Sequence, residues 1–278
     1  MKKSFYRFIK WRPVAKTIVF LRYMYLRDKY PDSTVFDVRD PRDHRAADKL
    51  KAIHIDLPDF VDIFEETNQE EMNQFQEPAC TAIGTTLLKR MADAYEHGRL
   101  ILHSWQWLWN KQGEPQTGDY LHRSFQVSVA NPFDTEGKLW PWTGYATVKD
   151  KIDVSPEALK NMKKCLAKRI GIKTGISIKQ GPFYEGDIQF NDNMKRAAYT
   201  GILKLDEGCS LGGHDLTIAG YDELGVLTGV PGWILYTCWG EWGKWKTGRM
   251  VLPYDQTIYL YSTYRGYDAK DLKDTGPA

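Results

Sequence analysis

The sequence has few cysteines, and none of them are close together. Its 278 residues contain four, at positions 80, 165, 209 and 238, and no two of them form a CxxC pair. Such spacing suggests neither a thiolate zinc site nor a disulfide framework. We therefore expect reduced thiols. Because the thiols are expected to be reduced, we predict a cytoplasmic or virion-associated location.

An excess of charge of one sign and a long apolar run are also missing. Thirty-eight basic residues are offset by 36 acidic ones, for a net charge of +2, which does not favour a nucleic-acid partner. Near the start, the longest apolar run is "TIVFL", which Arg22 interrupts. It is too short for a signal peptide or a membrane span, so we expect neither of them and no membrane partner.

Residues 1–36 are predicted to be a basic extension, and residues 37–278 the main domain. The first 30 residues hold nine Lys or Arg, one acid and several aromatics. We interpret the extension as a solvated or docking segment that could contact a protein assembly partner. Binding to an acidic surface or to nucleic acid is the alternative.

Helical patterns dominate the first half of the main domain. Residues 57–75 show no sustained period and are interpreted as an irregular lead-in crossing the surface. From Cys80, apolar residues recur every four positions and Gly98 supplies a stop, which predicts an amphipathic helix of about four turns. These apolar residues are Ile83, Leu87, Met91 and Tyr95. The Trp-rich stretch 100–145 is interpreted as a helix followed by loops.

A second helix and a run of strands follow. Ser155 is a predicted N-cap before Pro156, and the helix carries Cys165 as a packing or surface thiol. From Ile172 the period shortens to two, which predicts the strands "IKTGISI", "HDLTIAGYD", "GWILYTCW", "GRMVLPYD" and "TIYLYS". Helices first and strands afterwards predict an α+β fold with a helical lobe at about 80–168 and a β lobe at about 170–265.

Two residues in these elements could carry chemistry. Cys80 begins a helix, where unpaired N–H groups and the helix dipole favour a thiolate. An imidazole within reach would activate it further, and the chain has six histidines. His214 is the best candidate because it opens a strong strand and faces inward with Leu216 and Ile218. Gly213 just before it lets a substrate or backbone come close.

Four stretches in order resemble the papain-like cysteine peptidases, from Asp37 to Asp255. Gln74 precedes Cys80 by six positions, as in that family. The strand "GGHDLTIAGYDE" looks like the family's "GGHAVxxVGYD", and "TCWGEWGKWKTG" looks like "NSWGxxWGxxG". The lead-in "DPRDHR…LPDFVD" resembles that of bacterial-type members. The resemblance implies a two-lobed fold with a cleft between the lobes.

The resemblance also implies roles for individual residues. Cys80 would be the nucleophile, His214 the general base and then acid, and Gln74 the donor to an oxyanion hole completed by the Cys80 N–H. Trp239 and Gly213 would lie at the substrate, with Trp239 shielding the catalytic pair from water. The implied reaction is hydrolysis of a peptide or protein substrate through a thioester, without metal or cofactor.

Several positions depart from the family pattern. Thr237 stands where the family has the Asn that orients the imidazole, and Phe75 and Pro78 replace glycines. Asp215 is excluded as the orienting group because neighbouring strand residues face opposite sides. Two alternatives therefore stay open. One is a papain-like module without activity that binds within a larger assembly, and the other is a cell-wall amidase that also places Cys before His.

Overall fold

The structure is a computed structural model that describes residues 44–45, 55–75, 77–115, 118–149, 153–180, 193–205 and 209–267. The basic extension lies outside these residues, so its predicted bounds and docking role stay predictions. The helices are α1 (Ile63–Glu66), α2 (Cys80–His97), α3 (Trp105–Gln112), α4 (Leu121–Ala130), α5 (Pro156–Ala167) and α6 (Asn193–Thr200). The strands are β1 (His44–Arg45), β2 (Phe60–Asp62), β3 (Phe133–Thr135), β4 (Lys138–Trp140), β5 (Gly144–Lys149), β6 (Ile172–Gln180), β7 (Cys209–Asp222), β8 (Gly232–Tyr236), β9 (Arg249–Pro253) and β10 (Thr263–Tyr267).

One large sheet organises the described chain. Its strand order is β1-β5-β10-β6-β7-β8-β9, and β2 pairs with β7. All of its pairings are antiparallel except the short β1–β5 contact. Helices α2, α3 and α4 pack on one another, and α2 also contacts β6, β7 and β10. The predicted α+β class is confirmed, whereas the lobe boundaries stay predictions.

Helix α2 begins at Cys80 and ends at His97, directly before Gly98, as the pattern predicted. Gly98 takes the left-handed conformation (φ 64°) that favours glycine at a helix C-terminus. The predicted one-sided stripe is wrong in part, because Tyr95 is 60% exposed. The turns before it are buried on nearly every face, including the polar residues Thr81, Thr85 and Lys89. A helix enclosed in this way needs internal partners for its polar side chains.

Residues 57–75 do not cross the surface as predicted. Val61 and Asp62 lie in β2, which pairs with Tyr221 and Gly220 of β7. Val61, Ile63 and Phe64 belong to the core. The buried Asp62 carboxylate accepts hydrogen bonds from Tyr236 and Arg249. A three-residue strand and a one-turn helix are too short for either hydrophobic period to appear in the sequence.

Two other predictions of secondary structure are wrong. The stretch 100–145 contains two helices, α3 and α4, and a β3–β4 hairpin rather than one helix and loops. "TIYLYS" is not a strand, because residues Tyr254–Tyr259 form a 3₁₀ helix and the strand β10 begins at Thr263. The buried Thr257 hydroxyl fixes this turn by donating to Tyr254 O at 2.6 Å and accepting from Trp233 Nε1 at 2.8 Å.

Helix α5 follows its sequence signals closely. The Ser155 side chain accepts a hydrogen bond from Ala158 N at 3.2 Å, and Pro156 occupies the first turn. Cys165 is a buried packing residue. Among the helices formed by the described residues, none has both the length and the hydropathy needed to cross a bilayer.

Candidate active site

Cys80 lies at the N-terminus of α2, in a helix start that no side chain caps. Ala79 occupies the N-cap position and makes no side-chain hydrogen bond. The Cys80 sulfur accepts a hydrogen bond from the main-chain N–H of Asp215 at 3.4 Å. Helix α2 and strand β7 thus meet at the sulfur. The contact on β7 is made by Asp215, the residue after His214. Both the helix N-terminus and the Asp215 N–H favour negative charge on sulfur.

His214 is held within β7 by a side chain from the next strand. Its Nε2 lies 2.7 Å from Thr237 Oγ1, and Thr237 directly follows β8. The Thr237 main-chain N–H donates to Gly248 O at 3.0 Å. A Cβ at Gly248 would lie 2.7 Å from Thr237 O, and its φ of 72° also favours glycine. The close main-chain packing of Gly248 against Thr237 therefore fixes the position of the Thr237 hydroxyl.

Trp239 covers the imidazole of His214. The two ring centroids are 4.6 Å apart, and Trp242 meets Trp239 edge-on at 5.5 Å. Trp239 therefore covers His214, and its predicted role in shielding the Cys80–His214 pair from water stays a prediction. Gly213 is buried opposite Ser177 of β6. A substrate-binding role for Trp239 and Gly213 stays a prediction.

Gln74 is fastened to the Trp-rich turn by main-chain bonds. Its N–H donates to Cys238 O at 2.9 Å, Asn73 bridges to Trp239, and Gly240 N donates to Met72 O at 3.1 Å. The Cys238 thiol donates to Gln74 Oε1 at 2.8 Å. Cys238 therefore binds only the oxygen of this buried amide, and the NH₂ group can donate to another acceptor.

Residues 72–75, which these bonds tie to the Trp-rich turn, are called the strap, and Phe75 is its outer edge. It is 73% exposed and has a φ of 54°, which is unusual for a large side chain. Its N–H donates to Asn73 Oδ1 at 2.7 Å, a local bond that stabilises the turn. The glycine expected here would adopt this conformation without strain.

Burial dominates the electrostatics of the site. Cys80 and His214 are each 1% exposed. Desolvation lowers the pKa of His214 to about 3, so the imidazole is neutral near pH 7. Burial, with Cys80 and Asp215 nearby, raises the pKa of the Cys238 thiol well above its usual range.

The sequence analysis missed a buried ion pair beside Cys80. Lys173 Nζ lies 3.0 Å from the Asp215 carboxylate, and both side chains are fully buried. Burial raises the pKa of Asp215 to about 7, while Lys173 opposes that shift. The sequence feature that could have revealed this pair is Asp215, which stands where the family motif quoted above has Ala. A carboxylate entering the core there requires a cation from a neighbouring strand.

Comparison with solved structures identifies the architecture. Xylellain, a cysteine protease from Xylella fastidiosa, superposes with a TM-score of 0.65 over 87% of this chain and 97% of its own, at 14% identity. The proform of Amb a 11, a ragweed pollen cysteine protease, gives 0.65 over 88% of this chain and 71% of its own, at 18% identity. The fold is papain-like.

A third relative in structure is procathepsin B S9 from Trypanosoma congolense, with a TM-score of 0.60 over 88% of each chain at 13% identity. No family model and no curated sequence matches the chain. In this fold the Cys80 sulfur meets the main-chain N–H of Asp215, the residue after His214, and His214 Nε2 meets Thr237 Oγ1. The catalytic roles of Cys80, His214 and Thr237 stay predictions. At this level of identity, the papain-like fold does not establish activity.

Proposed function

We propose that the chain is a cysteine peptidase that uses Cys80 and His214. The observation that carries this proposal is the junction at the Cys80 sulfur. Cys80 begins an uncapped helix and its sulfur receives the N–H of Asp215. Asp215 directly follows His214, whose Nε2 is held by Thr237. With its proton on Nε2, His214 donates to the Thr237 hydroxyl and keeps Nδ1 as the proton acceptor.

The proposed reaction proceeds in two balanced steps. The Cys80 sulfur attacks the carbonyl carbon while its proton moves to His214. The C–N bond then breaks, the imidazolium protonates the leaving amine, and a thioester remains. His214 next takes a proton from water, whose oxygen attacks the thioester. The C–S bond then breaks, the acid is released, and the proton returns from His214 to the Cys80 sulfur. The Cys80 N–H and the Gln74 amide would stabilise the oxyanion in both steps.

The papain-like fold and the Cys238 contact support the role of Gln74. Because the thiol engages Oε1, the amide cannot rotate end for end without losing that bond. Gln74 also precedes helix α2, on a segment whose main chain is bonded to the Trp-rich turn. The two donors therefore come from different elements, and a single local shift does not displace both.

Cleavage of a broad fluorogenic peptide library by the full chain is the direct test. We expect turnover by the wild type and none by Cys80→Ala or His214→Ala. An epoxysuccinyl label should attach to Cys80 in the wild type, and a peptide map should identify the site. Cys165→Ala, which removes a buried thiol in α5, is the matched control and should keep both activity and labelling.

A papain-like binding module without activity is the second candidate. The observation that favours it is that Cys80 and His214 are each 1% exposed, so a substrate must displace neighbouring groups to reach the sulfur. If the wild type neither cleaves any library member nor takes up the label, the binding module replaces the peptidase as the better proposal.

A further inference from the structure

The ammonium group of Lys173 is fixed under the first turns of α2. Lys173 is 0% exposed. Its Nζ donates to Thr81 O at 2.7 Å, Thr85 Oγ1 at 2.9 Å and Ser124 Oγ at 2.5 Å, and lies 3.2 Å from Leu121 O. Thr81 directly follows Cys80. The cation is therefore held at the part of the helix that carries the proposed nucleophile.

Asp215 joins the same cation to the sulfur. Its carboxylate lies 3.0 Å from Lys173 Nζ, and its main-chain N–H donates to Cys80 Sγ. The carboxylate packs directly on Gly84 of α2, where a Cβ would lie 2.5 Å from Oδ1. No other described group hydrogen-bonds this carboxylate. Among the described residues, Lys173 is the side chain that forms an ion pair with it.

We propose that Lys173 and Asp215 are positioning residues that set how readily Cys80 ionises, with Lys173 favouring the thiolate and Asp215 opposing it. The inference rests on the proposed function, in which Cys80 is the nucleophile. Two opposite charges next to a buried sulfur act on it with opposite signs, and the low dielectric of the interior strengthens both effects.

Few other ionisable groups face Cys80 in the described chain. His214 and Asp215 lie on β7, Lys173 on β6, and Cys238 follows β8. Glu71 of the lead-in lines the same small cavity as Cys80 and Asp215. Lys173 is the lysine of this group, and His214 is neutral near pH 7 because burial lowers its pKa. Of the groups named here, Lys173 is thus the cationic side chain.

The chain contains its own control for a buried ion pair. Lys89 and Asp93 form a second pair at 2.8 Å, with both side chains 2% exposed, farther along α2. At about 1.5 Å per residue, Lys89 lies roughly 13 Å along the helix from Cys80. Removing this pair also disturbs a buried charge in the same helix, but it does so away from the sulfur.

The experiment follows the ionisation of Cys80 in the full chain through the ultraviolet absorbance of its thiolate, as the difference from Cys80→Ser. We expect Asp215→Asn to lower the midpoint of this titration by about one pH unit or more, since it leaves an ammonium beside the sulfur without its counter-charge. Adding Lys173→Met should reverse the shift. Adding Lys173→Arg in its place should preserve it, because arginine retains the charge.

The control Asp93→Asn should leave the midpoint unchanged. The proposal is overturned if Asp215→Asn leaves the midpoint in place or raises it, or if Lys173→Met does not reverse the shift. Should a double variant fail to fold, the comparison of Asp215→Asn with Asp93→Asn decides the question alone. The readout does not depend on peptide cleavage. A shift without cleavage therefore supports the charge pair and counts against the peptidase, while cleavage without a shift does the reverse.

Discussion

Thr237 supplies the hydroxyl that holds the far nitrogen of His214. Losing such a neutral hydrogen bond costs roughly 0.5 to 1.5 kcal/mol, so Thr237→Val should lower kcat/KM several-fold to about tenfold. Thr237→Ser, which keeps the hydroxyl, should stay close to the wild type in the same peptide assay. Equal activity of the Val and Ser variants would show that another group orients the imidazole.

Burial of His214 predicts a specific dependence of stability on pH. Its pKa is about 3 in the folded chain, against an ordinary value of about 6.5 in the unfolded chain. Below pH 6.5 the unfolded chain binds a proton that the folded chain does not, so stability falls as the pH decreases toward 3. This contribution is fully present above pH 6.5.

The difference in free energy of unfolding between the wild type and His214→Gln isolates this effect, because Asp62 titrates in both proteins. Between pH 6 and pH 5, the advantage of the wild type should shrink by up to about 1.4 kcal/mol. Urea denaturation at each pH measures it. A difference that stays constant with pH would mean that His214 keeps an ordinary pKa in the folded chain.

At the residue scale, motif and spacing allowed some neighbours to be predicted: His214 contacts Thr237 and Trp239, and Gln74 is bonded to Cys238 of the Trp-rich turn. The catalytic roles of these residues stay predictions. The contacts made by Lys173 could not be predicted, since its partners lie on α2 and α4, up to 92 positions away. A local pattern carries no information about such distant pairing.

The lead-in strand β2 depends on a glycine in the strand that it joins. A Cβ at Gly220 would lie 1.8 Å from Val61 O, so an alanine there cannot coexist with the observed β2–β7 pairing. We expect Gly220→Ala to lower the free energy of unfolding by about 3 kcal/mol or more, as overpacking against backbone does.

Gly229→Ala is the control for that variant. Gly229 has a φ of 79° and no atom within 4 Å of an added Cβ, so alanine would introduce backbone strain of only about 1 to 2 kcal/mol. Chemical denaturation compares the two proteins. If they lose similar stability, β2 is able to shift and its register is not fixed by Gly220.

At the element scale, long periodic segments could be predicted and short or mixed ones could not. Helices α2 and α5 carry a stop glycine or an N-cap serine together with a period of several turns. The 3₁₀ helix Tyr254–Tyr259 has strand-like composition, yet the tertiary bond from Trp233 to Thr257 fixes it as a turn. Tertiary contacts override local preference most easily in such short segments.

For the whole molecule, the continuous sheet predicts cooperative unfolding. Strands from β5 to β9 share one hydrogen-bonded sheet, and α2 packs against three of them. Urea unfolding followed by tryptophan fluorescence and by far-ultraviolet circular dichroism should therefore give superimposable transitions. Two separated transitions would show that the helical and β-rich parts unfold independently.

Asp62→Ala should move both of those transitions together. Its carboxylate binds Tyr236 and Arg249, so truncation leaves buried polar groups of β8 and β9 without this partner. Removing one member of such a buried pair costs about 3 to 5 kcal/mol. A matched surface variant, Glu136→Ala, breaks an exposed pair with Arg99 and should lower the free energy of unfolding far less, because solvent screens exposed ion pairs.

The strap that carries Gln74 has a consequence for the order of events during synthesis on a ribosome. Gln74 is fixed by Cys238, 164 residues later, and Asp62 by Arg249, 187 residues later. The segment around the nucleophile therefore leaves the exit tunnel long before its partners exist. Assembly of the site must wait until nearly all of the described chain has emerged. A nascent chain that ends before Cys238 lacks the residue that fixes Gln74, so we expect no peptidase activity until translation is almost finished.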